Sequence, residues 1–335
     1  MKKLFKPLAF ILLASAAMSC SSSDEVIEEQ VVDGTRPFVD FEFVPTADPF
    51  TFDIVTKAEN FKTLEWRFGD DSLGTAATNV HRYATTGDYD ASLTAIAESG
   101  LTSQKVYVVK LKADSIAKLS AVKTGKENEV KFTVDSKADI ASVLWSFDAE
   151  TKSTALNPVK TYAVGTLNPF TFKLTTKQGS VLEVTKLAST EGVMTEITNL
   201  SSVSVSNENG GGPRAAEGSV SLTDANVETK FLTSWPGSFW AQFKFVTPQT
   251  VKFYGIGSAN DAPTRDPKDW TLQGSNNATT WETIDTRAGI AYNGDYKKMF
   301  YYAVKSPKAF LYYRWNVTAH NGDGGFQVSE FRLYK

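Results

Sequence analysis

Apolar and polar residues alternate in short runs along most of this chain. Such period-two runs are typical of β-strands with one buried face. In the N-terminal part they include Phe41–Val44, Phe50–Val55 and Lys105–Leu111. Helical spacing of apolar residues is scarce. The pattern therefore predicts an all-β protein, which begins with a sandwich of about 80 residues.

A second region repeats the arrangement of the first. Trp66 precedes Tyr83 by 17 residues, and Trp145 precedes Tyr162 by the same distance. Each tryptophan is followed two residues later by phenylalanine. Equal spacing with matching residue types indicates an internal repeat, so residues 113–190 are predicted to form a second sandwich. The Gly-Asp turn of the first copy is absent from the second.

The C-terminal part, residues 191–335, carries the densest set of strand signals. Seven or eight strands in about 140 residues predict a jelly-roll sandwich. The runs are Phe239–Phe245, Val251–Ile256, Trp270–Gly274, Trp281–Ile284, Phe300–Val304, Phe310–Thr318 and Phe326–Tyr334. Trp270, Trp281 and Trp315 start or lie in these strands and are predicted to be core residues.

The first sandwich resembles the PKD family of immunoglobulin-like domains. The resemblance rests on Trp66-Arg-Phe-Gly-Asp70, His81-Arg-Tyr83 and Gly87-Asp-Tyr89. It implies a spacer or a protein-contact module over residues 36–112, with residues 113–190 as a degenerate second copy.

The third domain resembles discoidin, or coagulation-factor C-type, domains, which share their fold with family 32 carbohydrate-binding modules. The motifs are Ala259–Ser275, Trp281, Tyr312–Thr318 and Gln327–Glu330. The resemblance implies a discoidin-like jelly roll that binds sugars, and less often proteins or lipid head groups, through loops at one end. The predicted fold is thus two immunoglobulin-like sandwiches followed by this domain.

Strand direction predicts which end of the third domain carries the binding loops. If successive strands alternate in direction, the short turns 246–250, 275–280 and 305–309 share one end. The longer segments share the other end, which we call the rim, and long loops on rigid strands commonly carry function. The rim segments are 233–238, 257–269, 286–299 and 319–325.

Sugar recognition requires an aromatic ring for the apolar face of the sugar and polar groups for its hydroxyls. The rim contains both, in Trp235, Asn260, Asp261, Arg265, Tyr292, Asn293, Tyr296, His320, Asn321 and Asp323. Of these, the predicted ligand-binding set is Trp235, Asp261, Arg265, Tyr292, Asn293, Tyr296, His320 and Asn321. Two alternatives stay open: Arg265 pairs with Asp266 inside its own loop, and His320 is an ordinary loop residue.

The segment Ser221–Lys230 resembles the calcium loop of the discoidin-like family. The resemblance implies a structural Ca²⁺ held by Asp224, Asn226, Thr229 and Glu330. Calcium takes six to eight oxygen ligands, so backbone carbonyls are needed to complete this set. The alternative is an ordinary turn closed by the Asp224 side chain.

The N-terminus predicts export and lipid anchoring. Three lysines precede a short apolar stretch, and small residues then precede Cys20, the one cysteine of the chain. This resembles a bacterial lipoprotein signal peptide over residues 1–19, with cleavage before Cys20 and lipidation of its thiol. The alternative is an ordinary secretory signal. The acidic tether, residues 20–35, resembles the export signal of Bacteroidetes surface lipoproteins, which implies the outer membrane and the cell surface.

The net charge and the histidine content limit the classes of function that are expected. The formal net charge is −3, and it becomes −6 when the three lysines leave with the signal peptide, so nucleic acid is not an expected ligand. Two histidines, His81 and His320, stand in different domains, and no catalytic motif appears. We therefore expect a non-catalytic protein that captures polysaccharide or glycoprotein glycans, in contact with an outer-membrane uptake complex. The alternatives are an adhesion or protein-interaction protein, and a non-catalytic subunit of a hydrolase assembly.

Overall fold

The computed structural model describes residues 34–335 except Ala77 and Asp323. The predicted signal peptide, Cys20 and most of the predicted tether lie outside the described residues. Within the described part, the protein is built almost wholly of antiparallel strands, and this confirms the predicted all-β fold of packed sandwiches. None of the helices in that part has the length and apolarity that a membrane span requires.

The first sandwich packs a three-stranded sheet against a four-stranded sheet. The strands are β1 (Phe38–Pro45), β2 (Thr51–Glu59), β3 (Thr63–Arg67), β4 (Leu73–Thr75), β5 (Val80–Arg82), β6 (Gly87–Ile96) and β7 (Thr102–Leu111). The sheet orders are β1-β2-β5 and β4-β3-β6-β7. Leu64 and Trp66 of β3 are buried between exposed neighbours, so the predicted alternation places these side chains in the core.

The second sandwich repeats this plan after a single helical turn. Its elements are α1 (Ala113–Ile116), β8 (Ala117–Lys123), β9 (Glu129–Ser136), β10 (Ile140–Ser146), β11 (Lys152–Ser153), β12 (Val159–Thr161), β13 (Asn168–Thr176), β14 (Val181–Ser189) and β15 (Gly192–Met194). The sheet orders are β12-β9-β8 and β11-β10-β13-β14-β15. Trp145 lies opposite Phe172 just as Trp66 lies opposite Leu93, so the two copies share a strand register.

Direct contacts join the first two sandwiches. The Ser180 hydroxyl donates to the carbonyl of Tyr83 at 2.9 Å, and the Val181 amide donates to the carbonyl of Ala84 at 2.7 Å. One apolar cluster runs through both domains. They are therefore packed against each other and not joined by a bare linker.

The third sandwich faces a five-stranded sheet with a three-stranded one, and a two-stranded ribbon extends it. The elements are three 3₁₀ turns (Thr198–Leu200, Ser219–Leu222 and Pro263–Arg265) and the strands β16 (Ser201–Val205), β17 (Phe231–Ser234), β18 (Phe239–Thr250), β19 (Phe253–Gly257), β20 (Pro267–Ser275), β21 (Glu282–Arg287), β22 (Met299–Ala303), β23 (Ala309–His320), β24 (Gly325–Val328) and β25 (Glu330–Tyr334). The sheet orders are β16-β18-β23-β20-β21, β22-β19-β25 and β17-β24.

Two details of the third domain differ from the predictions. The single strand predicted over Phe326–Tyr334 is two strands, because the chain leaves the β17 ribbon at Ser329 and joins β19. Trp281 is not a core residue: it precedes β21, is half-buried, and has the Arg314 guanidinium 4.0 Å above its ring. Trp270 and Trp315 are buried in the core, as predicted.

Candidate functional site

The rim segments meet at one end of the third sandwich, as the strand directions predicted. The rings of Trp235 and His320 lie 4.7 Å apart, and His320 Nδ1 donates to the carbonyl of Thr264 at 2.9 Å. The Ser258 amide donates to the carbonyl of Lys298 at 2.9 Å, and the Ile290 amide donates to the carbonyl of Lys268 at 3.1 Å. All four rim segments are therefore held together by direct contacts.

The opposite end is compact. The hydroxyl of Tyr313 shares its one hydrogen between the carbonyls of Gln249 and Lys308, at 2.5 and 2.8 Å, and it accepts from the Val251 amide at 3.2 Å. One buried side chain thus ties the 305–309 turn to the end of β18, where residues 246–250 were predicted as a turn but belong to the strand. This end offers short, braced turns, whereas the rim offers long polar loops.

Trp235 is the aromatic residue best placed to contact a ligand at the rim. It follows β17 and is half-buried, with its ring 5.7 Å from the core ring of Phe326. His320 meets the indole edge-on, at an interplanar angle of 71°. Because the Thr264 carbonyl holds the imidazole in turn, the indole is fixed between the core and a polar loop.

A buried lysine and a buried glutamine shape the 257–269 loop from below. Lys230 Nζ lies 2.8 Å from Asp261 Oδ1 and 3.5 Å from a carboxylate oxygen of Glu217. Gln327, fully buried, donates through Nε2 to the carbonyls of Asp261 and Ala262. Ala262 has a positive φ of 38°, so these bonds hold the loop in a strained turn.

These two residues were not among the predicted site residues. Gln327 opens the Gln327–Glu330 motif of the family resemblance, and this was the available sequence signal, although in β24 it alternates with the apolar Phe326 and Val328. Lys230 gave no comparable signal, since its partners are far away in the sequence.

Asp261 and Asp266 lie in the same loop, but the pKa values of their carboxyl groups shift in opposite directions. The hydrogen bond from Lys230 lowers the pKa of the half-exposed Asp261 carboxyl. Burial raises the pKa of Asp266 to about 7, and the Asp261 charge adds to this, although the hydrogen bond from Gln327 opposes it. Asp266 Oδ1 lies 3.4 Å from Gln327 Nε2, so the Asp266 carboxyl faces Gln327 and forms no ion pair with Arg265.

Arg265 and Asn321 occupy different positions at the rim. Arg265 is half-buried and lowers the pKa of Asp261 through its charge, after the larger effect of Lys230. Asn321 donates through its backbone amide and its side chain to the carbonyl of Asp266, at 3.0 and 3.2 Å. Asn321 therefore braces the loop, and Arg265 lies next to the Asp261 carboxylate.

The 286–299 loop contains one correction to the predicted ligand set. Tyr292 is buried, 4.4 Å from the Phe300 ring, and accepts a 3.4 Å hydrogen bond from the Tyr302 hydroxyl. It is a core residue, because its ring closes the sandwich below the loop. Asn293, with a φ of 51°, and Tyr296, which is 43% exposed, do face solvent. Asp323, also placed at the rim, lies outside the described residues.

The four residues of the predicted calcium site lie together. The Asn226 amide donates to Asp224 Oδ1 at 2.9 Å and to Glu330 Oε1 at 2.8 Å. Thr229 Oγ1 donates to Asp224 Oδ2 at 2.8 Å. Burial and the neighbouring Asp224 carboxyl raise the pKa of Glu330 to about 7.

This set fits calcium in part. Two carboxylates and a hydroxyl are hard oxygen ligands of the kind Ca²⁺ takes, and carbonyls must supply the others. No group of three or more acidic, histidine or cysteine side chains suited to a metal occurs among the described residues. Arg332 Nε also lies 3.1 Å from Glu330 Oε2 and partly neutralises that carboxylate.

Comparison with known proteins identifies the first sandwich. Residues 39–111 match the family model of the PKD domain, which confirms the resemblance predicted for this region. A segment of 103 residues is 30% identical to a peptide-N(4)-(N-acetyl-beta-glucosaminyl)asparagine amidase of Arabidopsis thaliana. That match covers 29% of this chain and 14% of the amidase, so the chain spans well under two thirds of this relative.

Several solved structures are similar to part of the chain. Chitosan-binding module 1 of a chitosanase/glucanase from Paenibacillus sp. IK-5 is 17% identical, with 42% of this chain and 99% of the module covered and a TM-score of 0.35. The family 32 carbohydrate-binding module of Clostridium perfringens NanJ, solved with galactose, is 15% identical, with 42% and 99% covered and a TM-score of 0.35. An F5/8 type C domain from Bacteroides fragilis is 18% identical, with 42% and 96% covered and a TM-score of 0.37.

Proposed function

We propose that this protein is a non-catalytic carbohydrate-binding surface lipoprotein that captures glycans with the rim of its third domain. One arrangement supports this function: Trp235 presents a fixed indole beside loops that carry carboxylate, guanidinium and amide groups. An indole face packs against the C–H face of a pyranose, and charged groups bond its hydroxyls strongly. The ligands are polysaccharides or glycoprotein glycans.

The other parts of the chain fit this role as a display arm. The two N-terminal sandwiches are proposed to act as spacers that display the rim, and Cys20 is proposed to carry a lipid that anchors the protein in the outer membrane. An outer-membrane uptake complex is the proposed recipient of the captured glycan.

The test of the rim is the substitution Trp235→Ala in the full mature chain. Loss of the indole is expected to weaken glycan binding at least about tenfold, equivalent to about 1.4 kcal/mol. Glycan arrays and affinity gel electrophoresis measure it. Trp240→Ala is the matched control, because Trp240 is also half-buried but lies on β18 against Arg314, 4.7 Å from its ring. Equal glycan binding by Trp235→Ala and the unmodified chain contradicts the proposed platform.

A structural calcium ion is proposed at Asp224, Asn226, Thr229 and Glu330. A bound ion stabilises the folded state by about 2.7 kcal/mol at a concentration one hundred times its dissociation constant. A chelator is therefore expected to lower the melting temperature of the third domain by several degrees, and added Ca²⁺ to restore it. Asp224→Ala is expected to abolish this response. If neither the chelator nor added Ca²⁺ changes the melting temperature, the proposal of a structural calcium ion is wrong.

A second function, protein interaction through the first sandwich, has its own supporting observation. β7 ends the four-stranded sheet, and Val106, Tyr107 and Val108 on it are 41–55% exposed. An exposed apolar edge strand is a surface on which another chain can pair. Val106→Lys with Val108→Lys is expected to abolish adhesion or partner capture and to leave glycan binding unchanged. Intact adhesion in this variant contradicts the second function.

A further inference from the structure

The second sandwich differs from the first at a surface place that is filled in one copy and left as a depression in the other. The two copies share their register, with Trp66 opposite Leu93 and Trp145 opposite Phe172. Four residues before Leu93 stands Tyr89, and four residues before Phe172 stands Asn168. The scaffold therefore places a tyrosine in one copy where the other has an asparagine.

In the first sandwich, aromatic rings fill this place. The ring of Tyr89 stacks on that of Tyr83 at 4.2 Å, and Tyr83 donates its hydroxyl to the carbonyl of Phe68 at 3.1 Å. The buried tyrosine is therefore covered and its hydroxyl is satisfied.

In the second sandwich, the corresponding place is open. Asn168 is short and turns its amide to Thr166 Oγ1, 2.8 Å away. A depression of about 590 Å³ lies beside it, with Tyr162 in its wall. Tyr162 is 6% exposed, and its hydroxyl has no hydrogen-bond partner in the described part of the chain. A buried polar group without a partner costs free energy unless something else satisfies it.

The lining of this depression combines apolar rings with groups that both donate and accept hydrogen bonds. Phe147, Tyr162 and Phe170 supply the rings. At the mouth, Lys160 Nζ lies 3.0 Å from Asp148 Oδ2 and 3.2 Å from Thr151 Oγ1. Because the lysine and the aspartate neutralise each other, the depression has no net charge to attract an ion.

We propose that this depression binds a neutral saccharide unit, as a second site separate from the rim. The volume is within the range of small-ligand pockets, about 300–1,000 Å³. A pyranose offers hydroxyls that bond to the carboxylate, the ammonium and the Asn168 amide together, and an apolar ring face for the aromatic wall. A sugar hydroxyl that reaches past the wall would give the buried Tyr162 hydroxyl a hydrogen-bond partner, as the Phe68 carbonyl does for Tyr83 in the first copy.

The experiment uses the full mature chain with Trp235→Ala, which separates this site from the rim. Galactose, glucose, mannose, N-acetylglucosamine and their disaccharides are titrated to about 10 mM, where even binding of millimolar affinity is detected. Saturation-transfer NMR measures binding, and the Asn168 side-chain amide signal reports its location. At least one sugar is expected to bind and to shift that signal.

Two variants then test the pocket. Asn168→Tyr refills it as in the first sandwich and is expected to weaken binding at least about tenfold. Tyr162→Phe, the second variant, is expected to weaken it severalfold without lowering the melting temperature, because the hydroxyl has no partner to lose.

The site is overturned if no sugar of the panel binds the Trp235→Ala chain, or if binding leaves the Asn168 signal in place. It is also overturned if both Asn168→Tyr and Tyr162→Phe bind as the parent does. Because the Asn168 signal and the two pocket variants report on this site alone, failure here leaves the rim function standing, and failure of the rim test leaves this site standing.

Discussion

Asp266 is a carboxyl buried beneath the rim, and its protonation couples the 257–269 loop to pH. Its pKa rises from 3.8 in the unfolded chain to about 7 in the folded one, chiefly through burial. The folded state thus holds a proton that the unfolded state releases. The stabilisation is complete below about pH 4 and is lost as pH rises through about 7.

The loss of stability with rising pH predicts how the stability of Asp266→Asn differs from that of the parent. The variant is expected to lose the pH dependence between about pH 4 and 7 and to be more stable than the parent at pH 8, by roughly 2–4 kcal/mol. Urea unfolding at several pH values measures it. Asp261→Asn serves as the opposite control: Lys230 lowers the pKa of Asp261, so that stabilisation exists above about pH 4, and the variant is expected to be less stable at pH 8. If the unfolding free energy of Asp266→Asn depends on pH between about pH 4 and 7 as steeply as that of the parent, the raised pKa does not belong to Asp266.

At the scale of elements, the 257–269 loop takes its shape from two strands beneath it. Lys230, next to β17, and Gln327, in β24, reach the loop from the same ribbon. The loop therefore depends on groups that do not touch the surface on which a glycan would bind.

Lys230→Met tests this dependence. Removing the cation leaves Asp261 and Glu217 without their partner and is expected to cost about 1–3 kcal/mol of stability and to weaken rim binding. Lys308→Met is the matched control, because Lys308 forms an exposed ion pair with Glu282 at the end opposite the rim, and such pairs contribute under about 1 kcal/mol. Thermal unfolding and glycan titration compare the two. Equal effects of both variants contradict a bracing role for Lys230.

At the scale of the whole molecule, packed contacts continue from one domain to the next. Leu167 and Met194 of the second sandwich form an apolar cluster with Phe253 and Tyr334 of the third. Thr195 and Lys335 exchange two backbone hydrogen bonds, of 3.1 and 3.0 Å. The third domain is therefore held in one orientation relative to the second.

Met194→Asp tests this coupling. A charge in the apolar cluster is expected to cost about 2–3 kcal/mol and to free the third domain from the second. Small-angle scattering is expected to show a wider distribution of dimensions, and calorimetry two separated transitions. Val164→Asp is the control, because Val164 lies near the same junction but is 73% exposed. A compact Met194→Asp chain with one transition contradicts the coupling.

The sequence by itself determined most of the longer strands, the repeat and the end of the third domain at which the loops meet. Alternation suffices for these, because a strand with one buried face has a period of two and antiparallel strands reverse direction at each turn. Trp66, Trp145 and Trp315 lie in cores for this reason.

The tertiary structure alone decided which loop residues face solvent at the rim and which are supports. Tyr292 turns inward, Asn321 braces the loop from behind, and Gln327 holds a turn more than sixty residues away in sequence. Such contacts depend on irregular backbone in which side-chain direction follows no period. The open depression beside Asn168 was likewise visible only in the structure. An asparagine in place of a tyrosine matters there because the ring that it leaves uncovered belongs to Tyr162, and the sequence does not show which residue lies beneath it.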